Sequence, residues 1–312
     1  MSTYHSKFLG LDIDIEKLAQ IVAEAVCEEF RLKPLKVKCT YPVFRGSTET
    51  EKYAAFIKVA TKEEWMRTVT ILREVGENDL LPTLLTEQFV GYGDYAVIVS
   101  KWKDGYVTPI DEMTEKQVGG LVYGCLRLGE VLKKAKHFTP MRGSLRDPEV
   151  AWKVVNDYAA RHPIAARPLR DMLALPPDVR LYYDRELVIV HGDFHAKNYA
   201  FLGGKLASVY DFDKLTQDLS CGDLIQTLVY RYSEMNLTRA QRRRLWEVTR
   251  QILSRAFWPR EDMVTMAHIW RLRFAAHRIR KHPDAWWVGY DIARRDRYIL
   301  ELVSILTDPE QG

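Results

Sequence analysis

The sequence predicts an α+β fold with a sheet-rich N-terminal part and a mainly helical C-terminal part. Strand-like runs recur in the N-terminal part, at 35–44, 53–59 and 96–100. From residue 114 onward apolar residues recur at helical spacing, interrupted by two hairpin-like stretches within 188–210. Runs of strands followed by runs of helices are typical of α+β proteins. We therefore expect an N-terminal domain at 1–100 and a C-terminal domain at 101–312.

The composition is ordinary for a globular protein, with 47% hydrophobic and 28% charged residues in a chain of 312. The sequence contains no apolar run of about eighteen residues, so we expect no transmembrane helix. Its first residues lack the basic-then-apolar pattern of a secretion signal, and its four cysteines form no CxxC pair. The net charge of +4 does not indicate nucleic-acid binding. These features predict a cytoplasmic protein with reduced thiols and no nucleic-acid or membrane partner.

The N-terminal part begins with a helix that is predicted at 13–31 and that Pro34 ends. The hairpin after it is predicted from a strand, a turn and a returning strand at 35–44, 45–49 and 53–59. Gly46 and Ser47 stand in the predicted turn, where small residues let backbone N–H groups approach oxygen atoms closely. An ordinary hairpin turn would carry the same residues.

Lys58 lies near the end of the returning strand, among apolar neighbours. An ammonium group there is costly unless it meets an anion, although solvation at a sheet edge is an alternative explanation. A helix predicted at 62–75 follows and offers two acids in its first turn. Glu63 falls on the polar stripe of this helix, whereas Glu64 shares the more buried stripe with Ile71. We therefore predict that Glu64 is the partner of Lys58.

The C-terminal part is predicted to consist mostly of helices. They are expected at 114–132, 150–161, 225–235, 239–257, 262–280 and 290–307. Two of them carry clustered basic residues, among them Arg271, Arg273, Arg278 and Arg280. These residues form either solvated helix faces or a pocket wall that favours an anion. Tryptophans are also frequent here, as core residues or as stacking surfaces, at Trp246, Trp258, Trp270, Trp286 and Trp287.

The most informative stretch of the chain is HGDFHAKN at 191–198. A short apolar strand precedes it, a second strand follows it, and a Gly-Gly turn leads into a third strand that ends at Asp211-Phe212-Asp213. One acid thus stands on a loop with an amide five residues later, and a hairpin brings a second acid to the same place. Phosphoryl transfer requires this set: one carboxylate for the attacking hydroxyl, and oxygen ligands that hold Mg²⁺ against nucleotide phosphates.

Two other interpretations of this stretch are possible. His191, Asp193 and His195 alternate along an extended segment and so would face one side, as in a metal-dependent hydrolase. The other six histidines are scattered, which gives such a site few further ligands. The stretch is also compatible with a buried strand-loop-strand that has polar turn residues, but that leaves the convergence of the acids and the amide without a reason.

The order HGDxxxxN, hairpin, DxD resembles the aminoglycoside phosphotransferase and choline kinase family, whose members are small-molecule kinases with a two-lobed protein-kinase-like fold. The resemblance implies that Asp193 is the catalytic base. It also implies that Asn198 and Asp211 bind Mg²⁺, with Asp213 beside them. Protein kinases carry Arg in the related loop, where this chain has Gly192.

The resemblance extends to the N-terminal part. There it implies that Lys58 holds nucleotide phosphates and pairs with a helix Glu, although Glu64 is closer in sequence than the family usually has it. It places Gly46 and Ser47 in a hairpin over the phosphates. Backbone groups from Ser100 to Trp102 would contact the purine, and packing is an equal alternative for the Trp102 ring.

These expectations together predict Mg²⁺-dependent transfer of the γ-phosphate of ATP or GTP to a hydroxyl of a small molecule. The acceptor could be an antibiotic, a sugar, a nucleoside-like compound or an amino alcohol. The Arg-rich helices favour a neutral or anionic acceptor. A protein kinase or a spore-coat or envelope-associated kinase of the same fold is an alternative function. A nucleotide-binding regulatory protein without turnover is another. Asp223, which follows the second acid, is expected to cap a helix or brace the catalytic loop.

Overall fold

The computed structural model describes residues 3–7, 9–35, 41–49, 54–136, 144–174 and 182–308. The chain divides into two units. The first unit comprises Met1–Gly105, Lys134–Phe138 and Ala207–Asp213, and the second comprises Tyr106–Lys133, Thr139–Leu206 and Lys214–Gly312. The first unit therefore includes Ala207–Asp213, about a hundred residues after its main part. A boundary at residue 100 would place this segment in the C-terminal domain.

A five-stranded antiparallel sheet forms the centre of the first unit. Its strands are β3 (Arg31–Pro34), β4 (Val43–Ser47), β5 (Ala54–Ala60), β6 (Val90–Tyr92) and β7 (Tyr95–Lys101), after a separate hairpin of β1 (Thr3–Ser6) and β2 (Leu11–Asp14). The strand order is β3-β4-β5-β7-β6, so that β5 and β7 are internal strands. Alternate residues of β5 and β7, such as Ile57 and Val99, are buried in one apolar cluster.

Two helices accompany this sheet, α1 (Ile15–Val26) and α2 (Lys62–Val75). The Asp14 side chain caps α1, and Cys27, with a left-handed φ of 59°, ends it. The prediction of a helix at 13–31 is therefore wrong at its C-terminal end. Pro34 does not stop a helix but lies in β3, an edge strand, where the missing N–H of proline is tolerated. The bounds predicted for α2 are confirmed.

The second unit is mainly helical. Its principal helices are α3 (Glu115–Leu132), α4 (Pro148–Arg161), α5 (Arg170–Leu173), α6 (Gly222–Tyr232), α7 (Arg239–Arg255), α8 (Arg260–Lys281) and α9 (Val288–Thr307). The helices α4, α6 and α9 all pack against α8. Twelve of the 22 residues of α8 are accordingly buried, including two arginines. This burial makes α8 the centre of the unit rather than a solvated basic face.

Short strands flank the loops that contain the motif residues. They are β8 (Val188–Val190), β9 (Tyr199–Leu202), β10 (Lys205–Val209) and β11 (Thr216–Asp218). β8 pairs with β11, and β9 pairs with β10 after a turn in which Gly203 and Gly204 have φ values of 59° and 83°. The predicted α+β class is confirmed: the sheet lies N-terminal and the helices C-terminal. None of the helices within the described residues combines the length and apolar character that crossing a bilayer requires.

Candidate active site

The loop after β8 is held by two side chains of α6. The Asp223 carboxylate accepts from the backbone N–H groups of His191 at 2.9 Å and Gly192 at 3.0 Å. Gln226 accepts from the Phe194 N–H at 2.8 Å and donates to the Gly192 carbonyl at 3.0 Å. All four bonds are buried, so each is worth more than an exposed bond and costly to leave unmade. The expectation that Asp223 braces this loop agrees with these bonds.

Gly192 cannot be replaced without moving the loop. Its φ is 72°, a left-handed conformation that side chains rarely adopt. A Cβ atom built there would lie 2.2 Å from the Lys214 carbonyl oxygen. Glycine at this position therefore lets the chain segment at Lys214 pass directly beside the loop.

Asp193 follows Gly192, and its side chain is only 8% exposed. One carboxylate oxygen, Oδ2, lies 2.6 Å from Lys214 Nζ, and Oδ1 lies 3.8 Å from Arg146 Nη2 and 3.9 Å from His195 Nε2. Burial by itself raises the pKa of Asp193, but the opposing Lys214, with His195 and Arg146, holds that pKa below its ordinary value. Asp193 is therefore a carboxylate at neutral pH, ready to accept a hydrogen bond from a hydroxyl.

Asn198 closes the same loop. Its side-chain Nδ2 donates to the Asp193 carbonyl at 2.9 Å, and its backbone N–H donates to the His195 carbonyl at 2.8 Å. These two bonds fix the amide group with its oxygen as the end available to a ligand. The loop thus presents one carboxylate and one amide oxygen from a rigid backbone.

In the first unit, Lys58 contacts two carboxylates. Its Nζ lies 2.5 Å from Glu64 Oε1 and 2.6 Å from Asp211 Oδ1. Lys58 and Glu64 are each 7% exposed, and Asp211 has a left-handed φ of 67°. The structure therefore brings together three predicted site residues, among them the lysine-glutamate pair that helix phase selected. A left-handed aspartate is an uncommon conformation that functional sites often contain.

Two other predicted nucleotide contacts are placed differently. The predicted turn at 45–49 is wrong for its first three residues, because Gly46 and Ser47 lie within β4, opposite Ala55 and Ala54 of β5. A Cβ atom at Gly46 would lie 2.8 Å from the Ile57 side chain. The glycine is therefore explained by packing in the apolar core of the sheet, which sequence patterning alone does not separate from a turn.

The segment after β7 is already engaged in the sheet. Ser100 is buried and pairs with Phe56, and the Trp102 N–H donates to the Ala54 carbonyl at 2.8 Å. The Trp102 ring stacks on the Arg45 guanidinium at 5.1 Å and donates to Asp104. These contacts occupy the Trp102 N–H, so a purine would have to use other backbone groups here.

The other predicted metal ligands are Asp213 and the histidines of the 191–198 stretch. The side chain of Asp213 lies outside the described part of the chain. Among the residues that are described, no group of three or more His, Cys, Asp and Glu side chains has a metal-binding arrangement. His191 is fully buried, and its Nδ1 accepts from the Asp193 N–H at 3.2 Å. These observations argue against the histidine-based hydrolase alternative.

A cavity of about 750 Å³ in the second unit opens onto Asp193. Its walls include apolar side chains such as Val107, Ile110 and Phe274, and also His195, Lys214, Trp270 and Arg273. Sequence analysis did not identify Arg146 or Lys214, both of which line the cavity. The position of Lys214 directly after the DxD motif is a signal that the sequence carries. Arg146 precedes α4 and has no motif around it.

The four arginines of the predicted wall have different surroundings. Arg271 forms a bidentate ion pair with Asp296, Arg273 pairs with Asp218 at 2.5 Å, and Arg278 pairs with Asp291. Only Arg273 and Arg280 line the cavity. The alternative of solvated helix faces is also wrong for Arg271 and Arg273, which are 2% and 3% exposed. Helix phase misplaced them because α8 is buried on several sides.

Comparison with known proteins gives one family. The model of the phosphotransferase enzyme family matches residues 78–259, more than half of the chain. No curated protein sequence matches the chain.

Solved structures match over nearly the whole chain. One is a spectinomycin phosphotransferase in complex with ADP and spectinomycin, with 11% identity, coverage of 96% of this chain and 99% of that one, and a TM-score of 0.58. An amicoumacin kinase in complex with AMP-PNP, Ca²⁺ and Ami has 11% identity, 94% coverage of both chains and a TM-score of 0.60. The choline kinase of Cryptosporidium parvum Iowa II has 12% identity, coverage of 95% and 100%, and a TM-score of 0.56. At these identities the matches establish the fold, and they confirm the predicted kinase-like α+β architecture.

Proposed function

Because the chain belongs to the phosphotransferase enzyme family, we propose that it transfers the terminal phosphoryl group of ATP or GTP to a hydroxyl of a small molecule. The observation that carries the proposal is the Asp193 carboxylate, fixed on a braced loop and facing a cavity of about 750 Å³. A cavity of this size suits a small acceptor. The solved structures of similar fold include kinases of spectinomycin, of amicoumacin and of choline, so the acceptor class is not set by the fold.

The proposed reaction assigns one proton transfer to Asp193. Its carboxylate accepts a hydrogen bond from the acceptor hydroxyl and takes the proton as the new oxygen–phosphorus bond forms. The bond between the terminal phosphorus and the bridging oxygen breaks, and the nucleoside diphosphate leaves. The proton then passes to solvent. Because the pKa of Asp193 is held low, its main contribution is orientation of the hydroxyl rather than strong basicity.

We assign phosphate binding to Lys58, which Glu64 and Asp211 hold in place. Ser47, at the end of β4, and backbone groups near Ser100 and Trp102 remain proposed nucleotide contacts. For Gly46 the packing role is sufficient.

Mg²⁺ fits the donor chemistry, since Asn198 presents an amide oxygen and Asp211 a carboxylate, both hard ligands. Asp213 stays a proposed third ligand. When bound, Mg²⁺ would offset the negative charge of the nucleotide phosphates.

The test uses labelled nucleotide and a panel of hydroxylated compounds. The wild-type chain should form labelled product with Mg²⁺ present and stop when a chelator is added. Asp193→Asn should bind nucleotide with unchanged affinity while product formation falls by roughly 10²–10⁴-fold, the usual range for general acid–base groups. Asp171→Asn, on the short helix α5, is a matched control and should retain wild-type turnover. Wild-type turnover by Asp193→Asn would contradict the proposal.

A further inference from the structure

The cavity beside Asp193 has a positive lining. Among the described residues, six cationic side chains border it and two carboxylates do, Asp193 and Glu234. The cations are Arg146, Lys197, Lys214, Arg231, Arg273 and Arg280. Such an excess of one charge in a concave site raises the local concentration of ligands of the opposite charge.

Half of these cations are already matched by carboxylates. Arg231 contacts Asp111 at 2.6 Å and also Glu234, and Arg273 contacts the buried Asp218. Lys214 contacts Asp193. Within the described part of the chain, Lys197 and Arg280 have no carboxylate partner at ion-pair distance. The closest acid to Arg146 is Asp193, at 3.8 Å. Among the described residues, Lys197 and Arg280 therefore stay without a close carboxylate, and Arg146 has a long contact to a carboxylate that Lys214 already holds.

Arg146 is the most confined of the three. Its side chain is 17% exposed, and its guanidinium lies over the Trp270 ring at 4.9 Å. Its Nη1 atom is buried and has no hydrogen-bond partner among the described residues. A guanidinium N–H without a partner is costly, and an acceptor oxygen is the group that would satisfy it. The stacking on Trp270 fixes the direction in which the guanidinium points.

His277 also lines the cavity, and nearby cations affect its protonation. Desolvation and the nearby Lys281, Lys214, Arg146 and Arg278 lower the pKa of His277 to about 4. The imidazole is therefore neutral at physiological pH, and it adds no charge to the lining.

Much of the remaining wall is apolar. Val107, Ile110 and Phe274 line it together with the rings of Tyr230 and Trp270. An acceptor that fits this cavity has an apolar body as well as an anion. Its hydroxyl has to reach Asp193 while its anion reaches Arg146, and those side chains are 3.8 Å apart. The hydroxyl and the anion of such an acceptor therefore lie close together in the molecule.

Resting on the proposed function, we propose that the acceptor is an anionic compound with an apolar body, whose carboxylate or phosphate binds Arg146 next to the hydroxyl that receives the phosphoryl group. Arg280 and Lys197 strengthen the attraction from the rim of the cavity. A polycationic acceptor does not fit, since it would have to place amines against this lining.

Titration of full-length protein without nucleotide tests binding apart from catalysis. The first set of probes is 3-phenyllactate, its neutral amide and 2-amino-1-phenylethanol, which share a ring and a hydroxyl and differ in charge. Glycerol 3-phosphate against glycerol tests a phosphate in place of a carboxylate, and kanamycin is the polycation. An anionic probe should bind about 10- to 100-fold more tightly than its neutral counterpart, the range for a charge-assisted pair of hydrogen bonds.

Arg146→Gln should reduce the ratio of anionic-probe to neutral-probe affinity by about tenfold or more. Arg280→Gln should reduce the same ratio by a smaller factor. Arg243→Gln is the matched control, because the Arg243 side chain is 84% exposed and does not line the cavity. If no anionic probe binds at least tenfold more tightly than its neutral counterpart, or if Arg146→Gln weakens nucleotide binding alone, the inference is overturned.

Product formation with labelled nucleotide separates the two proposals. Arg146-dependent anion binding without any phosphorylated product would overturn the proposed function and leave the anion site standing. Phosphorylation of kanamycin with no anion preference would support the kinase and overturn the anion site.

Discussion

Lys214 Nζ lies 2.6 Å from Oδ2 of Asp193, and the backbone of the same lysine passes against Gly192 in the same loop. One residue therefore contributes twice to the site. Its side chain holds the carboxylate in its ionised form, and its carbonyl allows only glycine before that carboxylate. The ion pair and the conformation of the loop are linked through a single chain segment that follows the DxD motif.

Replacing Lys214 by Gln should change the pH dependence of turnover. The Asp193 carboxylate is active when ionised, and its lowered pKa keeps it ionised down to acidic pH. Without the lysine the pKa of Asp193 rises, so activity is lost at a higher pH as the solution is acidified. We also expect a fall in kcat of about 10²-fold, the lower end of the range for a lost charge-stabilising donor. A profile of kcat/KM against pH from 4.5 to 8 measures both effects, and an unmoved acidic limb would show that Lys214 does not control Asp193.

Much of this site can be predicted from the sequence, because the relevant residues follow patterns within short segments. The bounds of α2 follow from the Thr61 cap and the glycine after Val75, and the stripe of Glu64 follows from helix periodicity. The motif at 191–198 lies within one short segment between two strands. Local patterns of this kind are fixed by backbone geometry, so they do not require knowledge of the tertiary structure.

The errors have the opposite origin. Local pattern predicts a turn at Gly46, although the role of this glycine is set by Ile57 on the next strand. Local pattern predicts a pocket wall or a solvated face for Arg271, although it is buried against Asp296 on another helix. No local pattern marks Arg146, because its partner Trp270 is more than a hundred residues away in sequence. Contacts between distant segments decide these three cases, and a single sequence does not display them.

The contacts of Lys58 predict a graded effect on nucleotide binding. Lys58→Met leaves the Glu64 and Asp211 carboxylates without their cation, so it should weaken binding of the Mg²⁺-nucleotide by about 10- to 100-fold. Glu64→Gln keeps a hydrogen-bond acceptor beside the lysine and should be milder. Glu63→Gln is the control, since Glu63 has an 80% exposed side chain on the same helix turn. Titration with a fluorescent nucleotide measures all three, and equal effects of Glu63→Gln and Glu64→Gln would contradict the assignment.

Asp223 predicts a particular dependence of stability on pH. Burial raises its pKa to about 7, against the two backbone N–H bonds that favour the carboxylate. The folded state then keeps a proton that the unfolded state releases near pH 4, so the contribution of Asp223 to stability falls as pH rises from about 4 to about 7.

The neutral Asp223→Asn variant lacks this titration. The difference in free energy of unfolding between wild type and Asp223→Asn should therefore shrink as pH rises from 5 to 7.5. Urea denaturation at several pH values measures it. A difference that grows with pH would mean that the two N–H donors, rather than burial, govern this carboxylate.

The ion pair of Arg273 with Asp218 predicts the largest loss of stability. Both side chains are almost fully buried, at 2% and 0% exposure, and the Arg273 guanidinium also lies over the Trp270 ring of the cavity. Asp218→Asn leaves a buried guanidinium without its counter-ion, so we expect a loss of about 3–5 kcal/mol in the free energy of unfolding. Arg243→Gln removes an exposed ion pair on α7 and should cost less than about 1 kcal/mol. Equal denaturation midpoints for the two variants would contradict this account.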